Sequence, residues 1–256
     1  MPARATRPPV LLVHGYFANA AVFDAWLPFF AARGFPAYAV NLRGRAGSGV
    51  PGDLGRVAIQ DFVDDATEVA RHIGDPVVVG HSMGGLIAQR LAEEAVVRAA
   101  VLLTPAPPRG IMVLTPRVAW KQLRYLPWIL TSKVVVPRRE DLREIVLNRI
   151  PAAEQDGLLD QMVPDSGRAG RDMSITGVPV DPRRVRCPIL VVAAEEDRFI
   201  PKHIVARIAA RYGATLVTME RHAHMLIAEP GWHDVADAAA GWIEALWSRA
   251  ASDLLC

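Results

Sequence analysis

Short apolar runs without polar alternation, each followed by an amphipathic stretch, limit the possible folds of this chain more than any other feature. "PVVVGH" and "CPILVVAAEED" are two such runs. Strands that are apolar on both faces are typical of a parallel sheet covered by helices on each side. Between the runs, "AIQDFVDDATEVARHIG" and "GGLIAQRLAEEA" carry apolar residues at helical spacing. This alternation predicts a doubly wound α/β fold.

Six of the runs have the length of a strand, so we expect a mostly parallel sheet of about six strands. They are Val10 to Val13, Ala37 to Asn41, Pro76 to Gly80, Ala99 to Thr104, Pro188 to Ala194, and Thr215 to Met219. About eighty residues separate Thr104 from Cys187, which is more than a simple crossover needs. That interval is proline-rich at first and then helical in pattern. We interpret residues 107–186 as a helical lid, the lid segment, inserted into a core formed by residues 1–106 and 187–256.

Composition and charge argue against several classes of protein. Of the 256 residues, 51% are hydrophobic and 22% are charged, which is unlike a disordered chain. The formal net charge is +2, and no long basic run is present, so we expect no nucleic-acid partner. No apolar stretch reaches the roughly 18 residues that a membrane-spanning helix needs, and we expect no membrane partner. The two cysteines and the lack of a signal-peptide pattern predict a cytoplasmic protein. The sequence leaves the oligomeric state open between a monomer and a homodimer.

The stretch "GHSMGG", residues 80–85, has the G-x-S-x-G pattern between a predicted strand and a predicted helix. A serine on such a sharp turn adopts an unfavourable backbone conformation, and its neighbours must be small to let strand and helix approach. Gly80 and Gly84 meet that need, and the helix N-terminus favours developing negative charge. We therefore expect Ser82 to be a nucleophile. The alternative is a glycine-rich turn with an incidental serine.

A serine nucleophile requires a base and an orienting acid, which this topology places on later loops in the order acid, then histidine. Asp197 begins the loop after one predicted strand, and we prefer it as the acid to Glu195 and Glu196. His224 and His222 follow the next strand. We expect His224 to be the base, because it heads the amphipathic run "HMLIAEP", and His222 to be a solvated neighbour.

An oxyanion site is expected between the serine turn and the end of the first strand. The backbone amide of Met83 is one predicted donor, and the amide of Tyr16 is the other, with Phe17 as the next candidate. His14, directly after the first strand, is interpreted as a structural residue of that loop. His81 is interpreted as a packing residue beside the serine.

Five stretches together resemble the α/β-hydrolase fold superfamily, over residues 10 to 230. They are "VHGYFANAAVFDAW", "NLRGRAGS", "GHSMGG", "AAEEDRFIP" and "HAHMLIAEP". The resemblance implies Ser82 as nucleophile, Asp197 as acid and His224 as base. It also implies oxyanion donors at Tyr16 and Met83. Each of these assignments matches the one reached from the residues.

Departures from the family pattern indicate which subgroup of the superfamily the chain resembles. Only nine residues precede Val10, so the antiparallel hairpin that many members carry before this strand is expected to be absent. The chain thus resembles the compact subgroup of small esterases, plant methylesterases and hydroxynitrile lyases. Met225 stands where similar lyases carry a lysine, and a serine stands where haloalkane dehalogenases carry an aspartate. Both differences favour hydrolysis. Asn41 replaces a common aspartate at a position that shapes a loop.

These features predict a serine carboxylic ester hydrolase, free of metal and cofactor, that acts on small to medium hydrophobic esters as small-molecule substrates. Lactone, thioester or C–C bond hydrolysis and perhydrolysis by the same residues stay open, and a ligand receptor with little turnover is a further alternative. The predicted substrate-binding residues, most of them in the lid segment, are Phe17, Trp120, Tyr125, Trp128, Met162 and Met225. The alternative for the lid residues is that they merely cover the apolar edge of the sheet.

Overall fold

A computed structural model describes residues 7–49, 52–113 and 116–253. Within these ranges, eight strands are numbered along the chain. They are β1 (Val10–Val13), β2 (Ala37–Val40), β3 (Val77–His81), β4 (Ala99–Leu103), β5 (Val134–Val135), β6 (Asp165–Ser166), β7 (Ile189–Ala194) and β8 (Thr215–Met219). Six of them form one parallel sheet in the order β2-β1-β3-β4-β7-β8, which confirms the predicted six-stranded doubly wound fold.

Helices follow the strands of the sheet and also fill the interval between β4 and β7. They are α1 (Trp26–Ala32), α2 (Ile59–Ile73), α3 (Met83–Glu93), α4 (Pro116–Leu123), α5 (Leu126–Leu130), α6 (Arg139–Ile145), α7 (Ala152–Asp160), α8 (Gly167–Arg171), α9 (Lys202–Tyr212) and α10 (Trp232–Asp253). Short 3₁₀ turns span Ala20–Phe23 and Leu54–Arg56, and one π-helical turn spans Asp172–Thr176.

Both faces of the sheet are covered, which explains why its central strands read as continuous apolar runs. In β1, Leu11 and Val13 join the apolar cluster formed with α2, α3 and α9. Val10 and Leu12 join the opposite cluster, formed with α1 and α10. The strands β2 and β8 are the edges of the sheet. Val40 is the buried residue of β2, and the residues of β8 are exposed or half-buried.

The order of the strands places a crevice at one end of the sheet. After β1 the chain builds β2 on one side of it and then returns across it to build β3 on the other side. Loops that leave such a switch point at the carboxyl ends of the strands diverge and leave room for a ligand. The register pairs Val13 of β1 with Gly80 of β3, so the two following loops start side by side.

The lid segment contains α4 to α8 and the antiparallel pair β5–β6, and it contacts the core on both faces of the sheet. Val178 and Val180 join one apolar cluster, while Leu142 and Leu159 join the other.

The sequence also predicts that no hairpin precedes β1. Most of the residues that this prediction concerns, residues 1–6, lie outside the described residues.

Candidate active site

Ser82 occupies a strained turn between β3 and α3. Its backbone has φ 54° and ψ −116°, a region that residues with a side chain rarely adopt. Hydrogen bonds hold this conformation from several sides. The Ser82 amide donates to the Leu103 carbonyl of β4, and the Ser82 carbonyl accepts from the amides of Gly85, Leu86 and Ala106. The strain is therefore maintained by the sheet and by the first turn of α3.

The glycines on either side of Ser82 are sterically required. A Cβ atom at Gly80 would lie 2.2 Å from the Gly84 carbonyl oxygen. A Cβ atom at Gly84 would lie 2.0 Å from the carbonyl oxygen of Val13 in β1. Both gaps are too short for any side chain, so the approach of strand and helix that the sequence predicts is present in the structure.

Three side chains from distant parts of the chain meet at this turn. The Ser82 Oγ atom lies 3.1 Å from Nε2 of His224, and Nδ1 of His224 lies 2.9 Å from Oδ2 of Asp197. All three residues are buried. Oδ1 of Asp197 accepts from the amides of Phe199 (2.7 Å) and Ile200 (2.9 Å), which fixes the carboxylate. With Nδ1–H donating to Asp197, the unprotonated Nε2 can accept the serine proton.

The competing acids and the competing histidine lie elsewhere. Glu195 and Glu196 are exposed, and Glu195 forms an ion pair with Lys202. The expectation that His222 is solvated is wrong, because only 4% of it is exposed. Its Nδ1 lies 3.3 Å from Oε2 of the buried Glu229. The same oxygen accepts a hydrogen bond from the Ala223 amide, so this buried carboxylate holds the loop after β8 in the interior.

Two further histidines support the site without touching the reacting atoms. The His81 ring nitrogen Nε2 lies 2.8 Å from the carbonyl oxygen of His224. His14 Nδ1 lies 2.9 Å from the carbonyl oxygen of Gly15, and His14 Nε2 accepts from the Leu42 amide. Burial lowers the pKa of each of these two histidines to about 3, so both stay neutral at physiological pH. They orient the backbone on both sides of the serine.

The two predicted oxyanion amides differ from the third candidate in their surroundings. The Met83 amide is the first of α3, where an amide has no acceptor within the helix. Because His14 binds the Gly15 carbonyl, it also fixes the peptide plane that carries the Tyr16 amide. The Phe17 amide, in contrast, donates to Oδ2 of Asp165 at 2.9 Å. This bond removes Phe17 as an oxyanion donor.

A cavity of about 420 Å³ opens onto Ser82 and His224. Its wall is mostly apolar, and most of it comes from the lid segment and from the loop after β1. Of the residues predicted to bind substrate, the ones that line the cavity are Phe17, Tyr125, Met162 and Met225.

Trp120 and Trp128 do not line this cavity, so their prediction as pocket residues is wrong. Their exposed fractions are 67% and 43%. Helix α4 turns Val118 toward the cavity, and α5 turns Ile129 toward it, which leaves the tryptophans on other faces of these short helices. Since α4 carries apolar residues on more than one face, the sequence pattern alone does not show which face is buried.

Sequence reasoning missed a charged cluster in the cavity wall. Lys121 Nζ donates to Asp141 Oδ1 at 2.7 Å, and the Tyr125 hydroxyl donates to Asp141 Oδ2 at 3.0 Å. Burial acts to raise the pKa of Asp141, but these two hydrogen bonds and the positive charges of Lys121 and Arg124 together outweigh it and hold the pKa below its usual value. The cluster supplies a polar and internally satisfied patch within an apolar cavity.

Two negative findings concern only the part of the chain that the structure describes. In that part, no three His, Cys, Asp or Glu side chains are grouped in a way that could hold a metal ion. None of its helices is both long enough and apolar enough to cross a bilayer.

The parallel sheet, the strained serine turn and the loops at the carboxyl ends of the strands are those of an α/β hydrolase. The sequence profile of the alpha/beta hydrolase family matches residues 10–238. The chain therefore belongs to the alpha/beta hydrolase family, as the motifs indicated.

Two relatives of known activity share part of the sequence. A pimeloyl-(acyl-carrier protein) methyl ester esterase from Neisseria meningitidis serogroup B / serotype 15 is 27% identical over 231 residues, which cover 84% of this chain and 85% of the relative. A pyrethroid hydrolase from Sphingobium wenxiniae is 33% identical over 88 residues, which cover 33% of this chain and 30% of the relative.

Solved structures share the fold at lower identity. A methylesterase from Arabidopsis superimposes with a TM-score of 0.70 at 16% identity, covering 94% of this chain and 99% of the other. The monoacylglycerol lipase of Paleococcus ferrophilus gives a TM-score of 0.70 at 20% identity, covering 93% and 95%. At these identities the comparison supports the fold and leaves the substrate open.

Proposed function

We propose that this protein is a serine carboxylester hydrolase that cleaves small to medium hydrophobic esters through an acyl-enzyme. The observation that carries the proposal is the chain of contacts from Ser82 Oγ through His224 to Asp197, at 3.1 Å and 2.9 Å. A hydroxyl within hydrogen-bond reach of a base, which an acid orients in turn, is the arrangement that activates a serine nucleophile. The esterase activities named for the relatives support the same reaction class.

The proposed reaction has two halves. His224 takes the Ser82 proton as the serine oxygen attacks the ester carbonyl, and the amides of Tyr16 and Met83 receive the negative charge on the carbonyl oxygen. Asp197 holds the ring and stabilises its positive charge. The alcohol leaves with the proton from His224. A water molecule activated by His224 then attacks the acyl-enzyme, releases the acid and restores the serine.

The cavity supports an apolar substrate. Its volume of about 420 Å³ lies at the small end of the range for ligand pockets, and its wall is mostly apolar. Methionine side chains at Met162, Met173 and Met225 line it, and their flexibility suits acyl or alcohol groups of different shapes. We therefore place the preferred substrates among esters with short or medium apolar groups.

The direct test combines turnover with covalent labelling. In Ser82→Ala, kcat for p-nitrophenyl butyrate is expected to fall by roughly 10³-fold or more, while KM changes little, because the nucleophile acts in the chemical step. Labelling by a fluorophosphonate probe is expected to disappear in the same variant. Ser248→Ala, at an exposed serine of α10, is the matched control and should keep both properties. Undiminished turnover in Ser82→Ala would refute the proposal.

A further inference from the structure

Asp165 is a fully buried carboxylate of the lid segment that meets the loop after β1. Both Asp165 and the side chain of Arg45 are entirely removed from solvent, and the two form an ion pair. Oδ2 of Asp165 also accepts the Phe17 amide at 2.9 Å, and Oδ1 accepts the Ser166 amide at 2.7 Å. Replacement of a buried ion pair by apolar residues often leaves the stability of a fold unchanged, because the desolvation of the charges offsets their attraction. The contacts that Asp165 makes indicate a role of this ion pair other than stability.

The loop that carries the Tyr16 amide is attached to the lid segment at three consecutive points. The Tyr16 hydroxyl donates to the Ser166 carbonyl at 2.6 Å. The Phe17 amide binds Asp165, and the Phe17 carbonyl accepts from the Val163 amide at 2.9 Å. Phe17 has a φ of 63°, which is unfavourable for a residue with a side chain, so these contacts hold a conformation that the loop alone would not keep.

Charge explains why Arg45 accompanies Asp165. The carboxylate binds the residue that follows the Tyr16 amide, so an unpaired negative charge here would oppose the negative charge that develops on the substrate. The guanidinium group of Arg45 offsets that charge. It is held in place by the carbonyl oxygens of Ala18 and Arg43, each 3.2 Å away.

We propose that Asp165, held by Arg45, is a positioning residue for the oxyanion site. By binding the Phe17 amide it fixes the peptide between Tyr16 and Phe17. Together with the contact of His14 to the Gly15 carbonyl, it thereby aims the Tyr16 amide at the reacting carbonyl. The seating of the lid segment on the core is thereby linked to stabilisation of the transition state. This inference rests on the proposed ester hydrolase function and extends it from the reacting residues to the pair that supports them.

The test needs a variant that loses the carboxylate and keeps the fold. Arg45→Met combined with Asp165→Leu removes both charges together, an exchange that often leaves stability unchanged. Asp165→Ala is the simpler companion variant. The matched control is Asp172→Asn. Asp172 also joins the lid segment to the core, through the Ile59 amide at 3.2 Å, but it makes no hydrogen bond to residues 15–17.

Kinetics with p-nitrophenyl butyrate and inhibition by a trifluoromethyl ketone, which forms a tetrahedral adduct on the serine, supply the readouts. In both Asp165 variants we expect kcat to fall by roughly 10- to 100-fold with KM within about threefold, since a misplaced donor loses part of the 10²–10³ that one such donor contributes. The inhibition constant of the ketone should rise by the factor by which kcat/KM falls. Asp172→Asn should match the parent in both.

Several outcomes would overturn the inference. They are a kcat within twofold of the parent in the double variant, or a rise in KM alone with an unchanged inhibition constant. Loss of the fold in both Asp165 variants would count against it as well, since the pair would then serve stability. Failure of the proposed function is distinguished by Ser82→Ala. If that variant keeps its turnover, the hydrolase proposal fails. If it loses turnover while the double variant keeps it, only the present inference fails.

Discussion

Substitution of Gly84 by alanine tests the geometry on which the oxyanion site depends. The added Cβ would lie 2.0 Å from the Val13 carbonyl oxygen, whereas ordinary contact begins at 3.4 Å. Helix α3 and strand β1 would therefore have to separate by about 1.4 Å, the difference between these distances. The Met83 amide belongs to α3, and the Tyr16 amide follows β1. The substitution thus moves apart the two elements that carry the proposed donors.

The expected loss is large in both stability and activity. Overpacking of this kind destabilises a protein by about 1–3 kcal/mol or more. A displacement of about 1 Å in a catalytic arrangement can cost roughly 10²-fold in rate. We therefore expect Gly84→Ala to lower the free energy of unfolding in urea and to reduce kcat for p-nitrophenyl butyrate by about 10²-fold or more.

Gly157 is the matched control, because the same chemical change should have the opposite sign there. It lies inside α7, and apart from its chain neighbours and the nearby backbone of the helix no atom comes within 4 Å of the position of an added Cβ. Gly157→Ala should stabilise the protein by about 0.5–1 kcal/mol, because alanine loses less backbone entropy in a helix, and should leave kcat unchanged. A Gly84→Ala variant with the stability and kcat of the parent would show that α3 and β1 do not approach as described.

Two further predictions concern the buried histidines and the surface of the lid segment. His14 and His81 have a pKa of about 3 in the folded protein and near 6.5 when unfolded, so only the unfolded chain binds these protons as the pH falls from 7 to 5. Stability should therefore fall over that range by about 2 kcal/mol for each histidine, and His81→Gln should remove one such contribution from the pH dependence of urea unfolding. An unchanged pH dependence would contradict the burial of that ring. Trp120→Ala should leave KM for p-nitrophenyl butyrate within about twofold, because the Trp120 side chain does not line the cavity. A large rise in KM would show that this side chain contacts the substrate after all.

The parts of the fold that could be predicted from the sequence are those with a local physical cause. A strand such as β3, whose apolar residues do not alternate with polar ones, must be buried on both faces. Gly80 is likewise explained by a contact across a single turn, with the Gly84 carbonyl. Gly84 belongs to the same short motif, although its own close contact is with Val13 of the neighbouring strand β1. The positions of Asp197 and His224 followed from the rule that loops at the carboxyl ends of parallel strands meet at one edge of the sheet.

The missed features depend on contacts between distant residues. Arg45 and Asp165 are 120 positions apart, and charged residues with no apolar periodicity are normally placed at the surface. His222 is buried because Glu229 binds both its ring and the next amide, which no spacing rule indicates. Trp120 shows the related difficulty with a short helix, where the packing partner decides which of several apolar faces is buried.

The two proposed oxyanion donors are held by different parts of the molecule, and substitutions in these parts should therefore affect different properties of the enzyme. The Met83 amide is fixed by the core, through the close approach of α3 to β1 at Gly84. The Tyr16 amide depends, by our proposal, on a carboxylate of the lid segment. Changes at cavity-lining positions such as Met162 should therefore alter which ester is accepted without altering the chemical step. A change at Asp165 should reach the chemical step itself, although this residue touches neither the substrate cavity nor the serine.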